Sequence, residues 1–226
     1  MDLPTARRDC AKAAPVTYSV HEIFPTLQGE GVNTGRLAVF CRFAGCNLWS
    51  GREADRSDAI CRFCDTEFVG TSGPGGAKFT SPGDLAAALA TRWPAGTDSA
   101  PFVVLTGGEP LLQVDVALIT ALHHSGFEIA VETNGTRPAP PGLDWICVSP
   151  KAGAPLALSA GDELKLVYPQ GDLDPAVFED LNFQHFLLQP CDGPELAANI
   201  EAASEYCATH PHWRLSLQTH KLIGIR

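Results

Sequence analysis

At 226 residues, 45% of them hydrophobic and 19% charged, the chain is long enough to bury a core without disulfide or metal staples. A formal net charge of −10 argues against a broad surface for nucleic acid or anionic membrane and leaves room only for a local basic pocket. No apolar run approaches the roughly 18 residues of a spanning helix. Residues 1–16 carry Arg7, Arg8 and Lys12 but no apolar stretch of the signal-peptide kind. The expectation is a cytoplasmic protein with a flexible leader at 1–16 and a single domain over 17–226.

Taken in chain order, β-branched and apolar runs predict strands at Tyr18–Phe24 and Leu37–Phe43, and the glycine-rich stretch Phe68–Thr80 reads as a loop. A helix opens at Ser81-Pro82 and runs to Trp93, with proline in its first turn. A strand at Phe102–Leu105 precedes a helix over Leu111–Ser125 that stops at Gly126. Strands follow at Phe127–Val131, Trp145–Val148 and Glu163–Tyr168, then a short helix at Asp174–Leu181 and a strand at His185–Leu188. A longer helix over Pro194–Thr209 and a last strand at Arg214–Leu217 complete the pattern. Alternation of this kind predicts an α/β fold built on a parallel sheet with right-handed crossovers. The helices are too few for the strands, so part of the sheet should be uncovered or covered by a second subunit.

Eight cysteines in a reducing compartment suggest metal binding or buried thiols rather than disulfides. Cys61 and Cys64 form a CxxC pair, and fourteen residues separate Cys46 from it. Zinc would need two further ligands, which His21 or His220 could supply only by distant folding. A 4Fe–4S cubane would be left with one iron lacking a protein ligand, an advantage where that iron must hold a substrate. Inert buried thiols are the third reading, and the one preferred for Cys41, which lies in a strand-like run. A second signal is Thr106-Gly107-Gly108-Glu109-Pro110, directly after an apolar strand. Two glycines there would let a ligand approach the backbone, and Glu109 would be placed to hold a cation such as an amino group. A plain strand-to-helix turn is the alternative.

Together the cysteine triad and the GGEP sequence resemble the radical S-adenosylmethionine (SAM) superfamily. The long first gap resembles one group within it, the 7-carboxy-7-deazaguanine synthases of queuosine biosynthesis. The resemblance extends through Glu22–Gly31, Phe40–Trp49, Cys64-Asp65-Thr66, Glu132–Gly135, Ser149-Pro150-Lys151, Gln189-Pro190 and Gln218–Lys221. It implies a modified partial (β/α) barrel of the radical SAM type, with reduced helix content, working as a homodimer. It implies a lyase that contracts the ring of 6-carboxy-5,6,7,8-tetrahydropterin to give 7-carboxy-7-deazaguanine and ammonia. The cofactors implied are a 4Fe–4S cluster on Cys46, Cys61 and Cys64, SAM, and Mg²⁺ on Thr66, with Asp65 a second oxygen ligand nearby. Around SAM the resemblance places Gly108, Glu109, Glu132, Ser149, Pro150, Lys151, Gln189, Pro190, Cys191 and Asp192. Around the pterin it places Leu27, Gln28, Gly29, Glu30, Arg42, Thr106, His220 and Arg226. A flavodoxin-like or ferredoxin-like electron donor is the implied partner, with no nucleic acid and no membrane. Two other functions compete: activation of a glycyl-radical enzyme, and a zinc-stabilised binding module without catalysis.

Overall fold

The computed structural model describes residues 17–226; the expected leader at 1–16 lies outside them. Nine strands form one sheet: β1 (Tyr18–Leu27), β2 (Leu37–Phe43), β3 (Ala77–Phe79), β4 (Phe102–Gly107), β5 (Glu128–Thr133), β6 (Trp145–Val148), β7 (Ala160–Tyr168), β8 (Asn182–Pro190) and β9 (Trp213–Leu215). Their spatial order is β3-β1-β2-β4-β5-β6-β7-β8-β9. The β1 strand runs antiparallel to β2 and β3, and every pairing from β2 to β9 is parallel. The helices are α1 (Pro82–Ala90), α2 (Val116–His124), α3 (Leu196–Thr209) and the short α4 (Thr219–Ile223). The result is the partial (β/α) barrel expected, poor in helix: β5 reaches β6, and β6 reaches β7, without a helix between them. No helix among the described residues is long and apolar enough to cross a membrane.

Alternation along each strand divides the sheet into two faces. Val39, Cys41 and Phe43 of β2, Val103 and Leu105 of β4, and Ile129 and Val131 of β5 point one way, and pack on Leu85 and Leu89 of α1 and Leu118 and Leu122 of α2. Cys41 is fully buried there, as its packing role requires. Val148, Leu164, Leu166 and Leu188 continue that face beneath Ala203 of α3 and Trp213. The opposite face begins apolar, with Ala38, Phe102, Val104 and Ala130. It turns polar toward the C-terminal ends of the parallel strands, where Arg42 pairs in register with Thr106 and Glu132 with Cys147. A parallel barrel places its ligand groups at that end.

Four differences from the sequence expectations have local causes. Leu111–Ser125 is not one helix. A 3₁₀ turn at Pro110–Leu112 is followed by α2, whose start is fixed by Asp115 accepting from the Leu118 amide at 2.9 Å. Gln113 between them donates instead to the Ala44 carbonyl at 2.8 Å. Asp174–Leu181 contains only one 3₁₀ turn, Pro175–Phe178, capped by Asp174. The loop Phe68–Thr80 includes β3, an edge strand of three residues, too short for alternation to show. Helix α4, which ends at Gly224 in the left-handed conformation (φ 68°), was not expected from the sequence.

Candidate active site

Two adjoining cavities, of about 190 and 310 Å³, open at the C-terminal ends of the parallel strands. They share Glu30, Asp65, Thr66, Thr106, Glu132 and Gln218 as a common wall.

Cys46, Cys61 and Cys64 all line the smaller cavity. The segment that delivers the CxxC pair is held by its own packing. Trp49 meets Phe68 edge-on at 5.6 Å, with Ala59 buried beside them. Arg56 lies over the Trp49 ring at 4.1 Å and donates to the carbonyls of Arg62 and Cys64 at 2.8 and 3.0 Å. The interaction between the neighbouring Cys61 and Cys64 side chains favours the Cys64 thiolate and disfavours that of Cys61. Burial pushes the Cys46 thiol up. No three His, Cys, Asp or Glu among the described residues converge as they would on a single ion. A cubane makes a different demand: its irons sit at separate corners, each needing one thiolate. Three thiols spread around one cavity fit that donor set.

The GGEP turn does something other than expected. A Cβ on Gly107 would fall 2.3 Å from the Phe43 carbonyl oxygen, and one on Gly108 would fall 2.0 Å from that of Gly45. The close approach that the glycines permit is therefore to the chain just before Cys46. The Gly108 and Glu109 amides donate to those same two carbonyls, at 3.1 and 2.9 Å. Glu109 is fully buried and does not line the cavity. Its carboxylate accepts from Leu111 N at 2.9 Å, Thr133 Oγ1 at 2.7 Å and Asn134 N at 2.8 Å. It latches the ends of β4 and β5 together, and Gly107 and Gly108 are left to face the cavity.

Of the other residues expected around SAM, Glu132, Ser149, Lys151, Gln189, Pro190 and Asp192 line the smaller cavity. Lys151 donates to the Ser149 carbonyl and hydroxyl at 2.7 and 2.6 Å, and burial lowers its ammonium. Pro150 and Cys191 do not line it. The Pro150 carbonyl accepts from Gln170, and the Cys191 amide donates to Tyr168. All eight residues expected around the pterin line the larger cavity. Glu22, which sequence reasoning overlooked, accepts from Arg42 Nε at 2.8 Å and also pairs with Arg226. Arg226 lies over the Phe24 ring at 4.5 Å. Asp65 and Asp192 both pair with Lys221, tying the cysteine loop, the turn after β8 and α4 together.

Lys165 was also overlooked. It is 3% exposed, and its ammonium donates to Glu30 at 2.8 Å and Glu132 at 3.0 Å. A signal existed: in Glu163-Leu164-Lys165-Leu166 the leucines take the core face, so lysine must take the site face.

The fold and this constellation define an enzyme of the radical SAM class, with a 4Fe–4S cluster and SAM as cofactors. No family model matches the chain. It is 64% identical over 211 residues, 93% of this chain and all of the relative, to a 7-carboxy-7-deazaguanine synthase of Bradyrhizobium diazoefficiens. A protein of the same name from Bordetella pertussis is 61% identical over 211 residues, again covering 93% of this chain and all of the relative. The crystal structure of QueE from Escherichia coli matches with a TM-score of 0.65 at 27% identity, covering 90% of this chain and 95% of that one. The chain belongs to the 7-carboxy-7-deazaguanine synthase family. The glycyl-radical and zinc-module alternatives fall with that assignment.

Proposed function

We infer that the protein is a lyase that converts 6-carboxy-5,6,7,8-tetrahydropterin to 7-carboxy-7-deazaguanine and ammonia, in the pathway to queuosine. The observation that carries this reading is adjacency. A cavity lined by three thiols shares a wall with a second cavity lined by Arg42, Gln28, Glu30 and the Leu27–Gly29 turn.

When bound, the cluster and SAM together supply a 5′-deoxyadenosyl radical, the chemistry that no side chain provides. The chain itself binds and orients. Glu22 takes the Arg42 Nε–H, which leaves the rest of the guanidinium for the pterin carboxylate. Arg226 adds a second cation beside it. The Leu27–Gly29 turn and the Gln28 amide offer donors and acceptors to the pterin edge. Their space is set by His220, since a Cβ on Gly29 would fall 2.2 Å from its Nδ1. Gly107, Gly108, Ser149, Lys151, Gln189, Pro190 and Asp192 hold SAM. Glu109, Pro150 and Cys191 support those turns from behind.

Mg²⁺ would take the Thr66 hydroxyl, which belongs to the wall common to both cavities, with its remaining charge met by the substrate carboxylate. Asp65 is the neighbouring oxygen, already engaged by Lys221. A homodimer agrees with the helix-poor stretch of sheet from β5 to β7. A flavodoxin-like or ferredoxin-like donor would deliver the electron. A cytoplasmic location agrees with seven described cysteines that are all free.

Incubating the anaerobically reconstituted protein with SAM, Mg²⁺, a reductant and the carboxypterin should yield 7-carboxy-7-deazaguanine. An intact cluster and bound SAM without that product would sink the reading. Thr66→Ala is expected to keep its iron and SAM cleavage while needing roughly tenfold more Mg²⁺ for half-maximal turnover, the size of losing one oxygen ligand. Loss of iron in that variant would reassign Thr66 to support of the cysteine loop.

A further inference from the structure

Lys165 stands on β7 with its charge out of water, and Glu30 and Glu132 reach it from the β1–β2 connection and from β5. Each carboxylate oxygen of that pair has a partner. Glu30 Oε2 and Glu132 Oε2 accept from Lys165, Glu30 Oε1 accepts from Gln218 at 3.0 Å, and Glu132 Oε1 accepts from Gln28 at 3.2 Å. Both carboxylates belong to the wall common to the two cavities. Burying such a triad costs free energy, and replacing buried ion pairs with well-packed apolar residues is often neutral or stabilising. The arrangement is therefore explained by what the carboxylates do rather than by stability.

We propose that Lys165 is a positioning residue for the ring contraction, holding Glu30 and Glu132 as fixed acceptors for the donor-rich amino-pyrimidine edge of the pterin. The inference rests on the pterin reading of the larger cavity. The charges around the triad make the dependence sharp. Glu163 and Cys147 face it from β7 and β6, and Lys151 and His220 lie further off. Burial alone would raise both carboxyls; the Lys165 charge and hydrogen bonds from Lys165 and Gln218 bring Glu30 down to about 2, while for Glu132 burial outweighs the Lys165 charge and holds the carboxyl above the usual range. Without Lys165, three carboxylates share one dry region, and a proton must bind to relieve them. A protonated Glu30 or Glu132 presents a donor where the substrate also presents a donor.

The test uses the reconstituted holoenzyme with SAM and the carboxypterin, from pH 6 to 9. Lys165→Met is expected to raise KM for the pterin about 100-fold, as loss of one partner of a buried charge pair does, with iron content and SAM binding retained. Its KM should fall as pH rises, because ionisation restores the acceptors; the unsubstituted enzyme, in which Glu30 stays ionised, should show a smaller acid-side rise. Lys165→Arg should recover most of the loss. An unchanged KM and pH profile in Lys165→Met overturns the proposal. Should that variant not load iron, Lys165→Met/Glu132→Gln, which removes one charge of each sign, is read in its place. A wild-type KM and pH profile in the double variant overturns the proposal equally. Product from the unsubstituted enzyme is measured alongside, so failure of the pterin reading shows there and failure of the Lys165 role shows only in the variants.

Discussion

Anaerobically reconstituted Cys61→Ala is expected to hold no 4Fe–4S cluster and to form no 7-carboxy-7-deazaguanine, while remaining folded. Cys61 contributes a thiol to the cavity and, through its amide, a 3.4 Å contact with the Leu48 carbonyl. Alanine keeps the amide and removes the thiol. The surrounding segment has its own support in Trp49, Phe68 and the Arg56 contacts, so the change should cost little stability. What would be lost is one of the three anchors proposed for four irons, and two thiolates would leave half the cube to solvent. Iron per chain and the visible absorption of the cluster measure this directly, and the urea midpoint checks the fold. Cys41→Ala is the control, an equally buried thiol on the core face. It should keep iron and activity and lose about 1 kcal/mol of stability through packing alone. A Cys61→Ala protein with a full cluster would remove that residue from the ligand set.

Glu109→Ala is expected to destabilise the protein by about 3 kcal/mol or more, a larger effect than any surface carboxylate would give. The carboxylate serves three donors, Leu111 N, Thr133 Oγ1 and Asn134 N, in a place water does not reach. Removing it strands those donors, and each unsatisfied buried group costs about 1–3 kcal/mol. Glutamine is no remedy, since its NH₂ would face a donor where an oxygen now stands. SAM affinity should fall with stability, because the Gly107–Gly108 turn is fixed by the same latch. Equilibrium urea unfolding gives the first quantity and equilibrium dialysis the second. A Glu109→Ala midpoint equal to that of the parent would show that the carboxylate is dispensable to the fold.

The strand pattern of the fold was legible because burial on one or both faces writes itself as apolar runs, and Leu37–Phe43 and Trp145–Val148 emerge with the expected bounds. Helix starts were less legible where two caps competed. Pro110 and Asp115 each open a turn, and Gln113, accepting from the Ser19 amide and donating to the Ala44 carbonyl, separates them. The residues around both cavities came mostly from motif resemblance, since a loop glutamate or threonine carries no periodic signal. Glu109 shows the limit of that route. A motif says that a residue recurs beside a ligand, but not whether its side chain or its main chain does the work. Lys165 shows the complementary loss. Its meaning lies in Glu30, 135 positions away, and no local pattern reports such a pairing.

The stretch from Asn47 to Ile60 is tied at its ends rather than along its length. Trp49 and Ala59, near its two ends, pack with Phe68 from beyond the CxxC pair, and the Ile60 amide returns to the Leu48 carbonyl at 3.1 Å. Its two ends are thus joined independently of what lies between them. Such a segment behaves as a cassette: its length can drift through insertion and deletion while both ends stay where the metal requires them. Lengthening or shortening the segment between Leu48 and Ile60 should therefore disturb the cysteine loop less than a change within the CxxC pair or at the GGEP contact with Gly45.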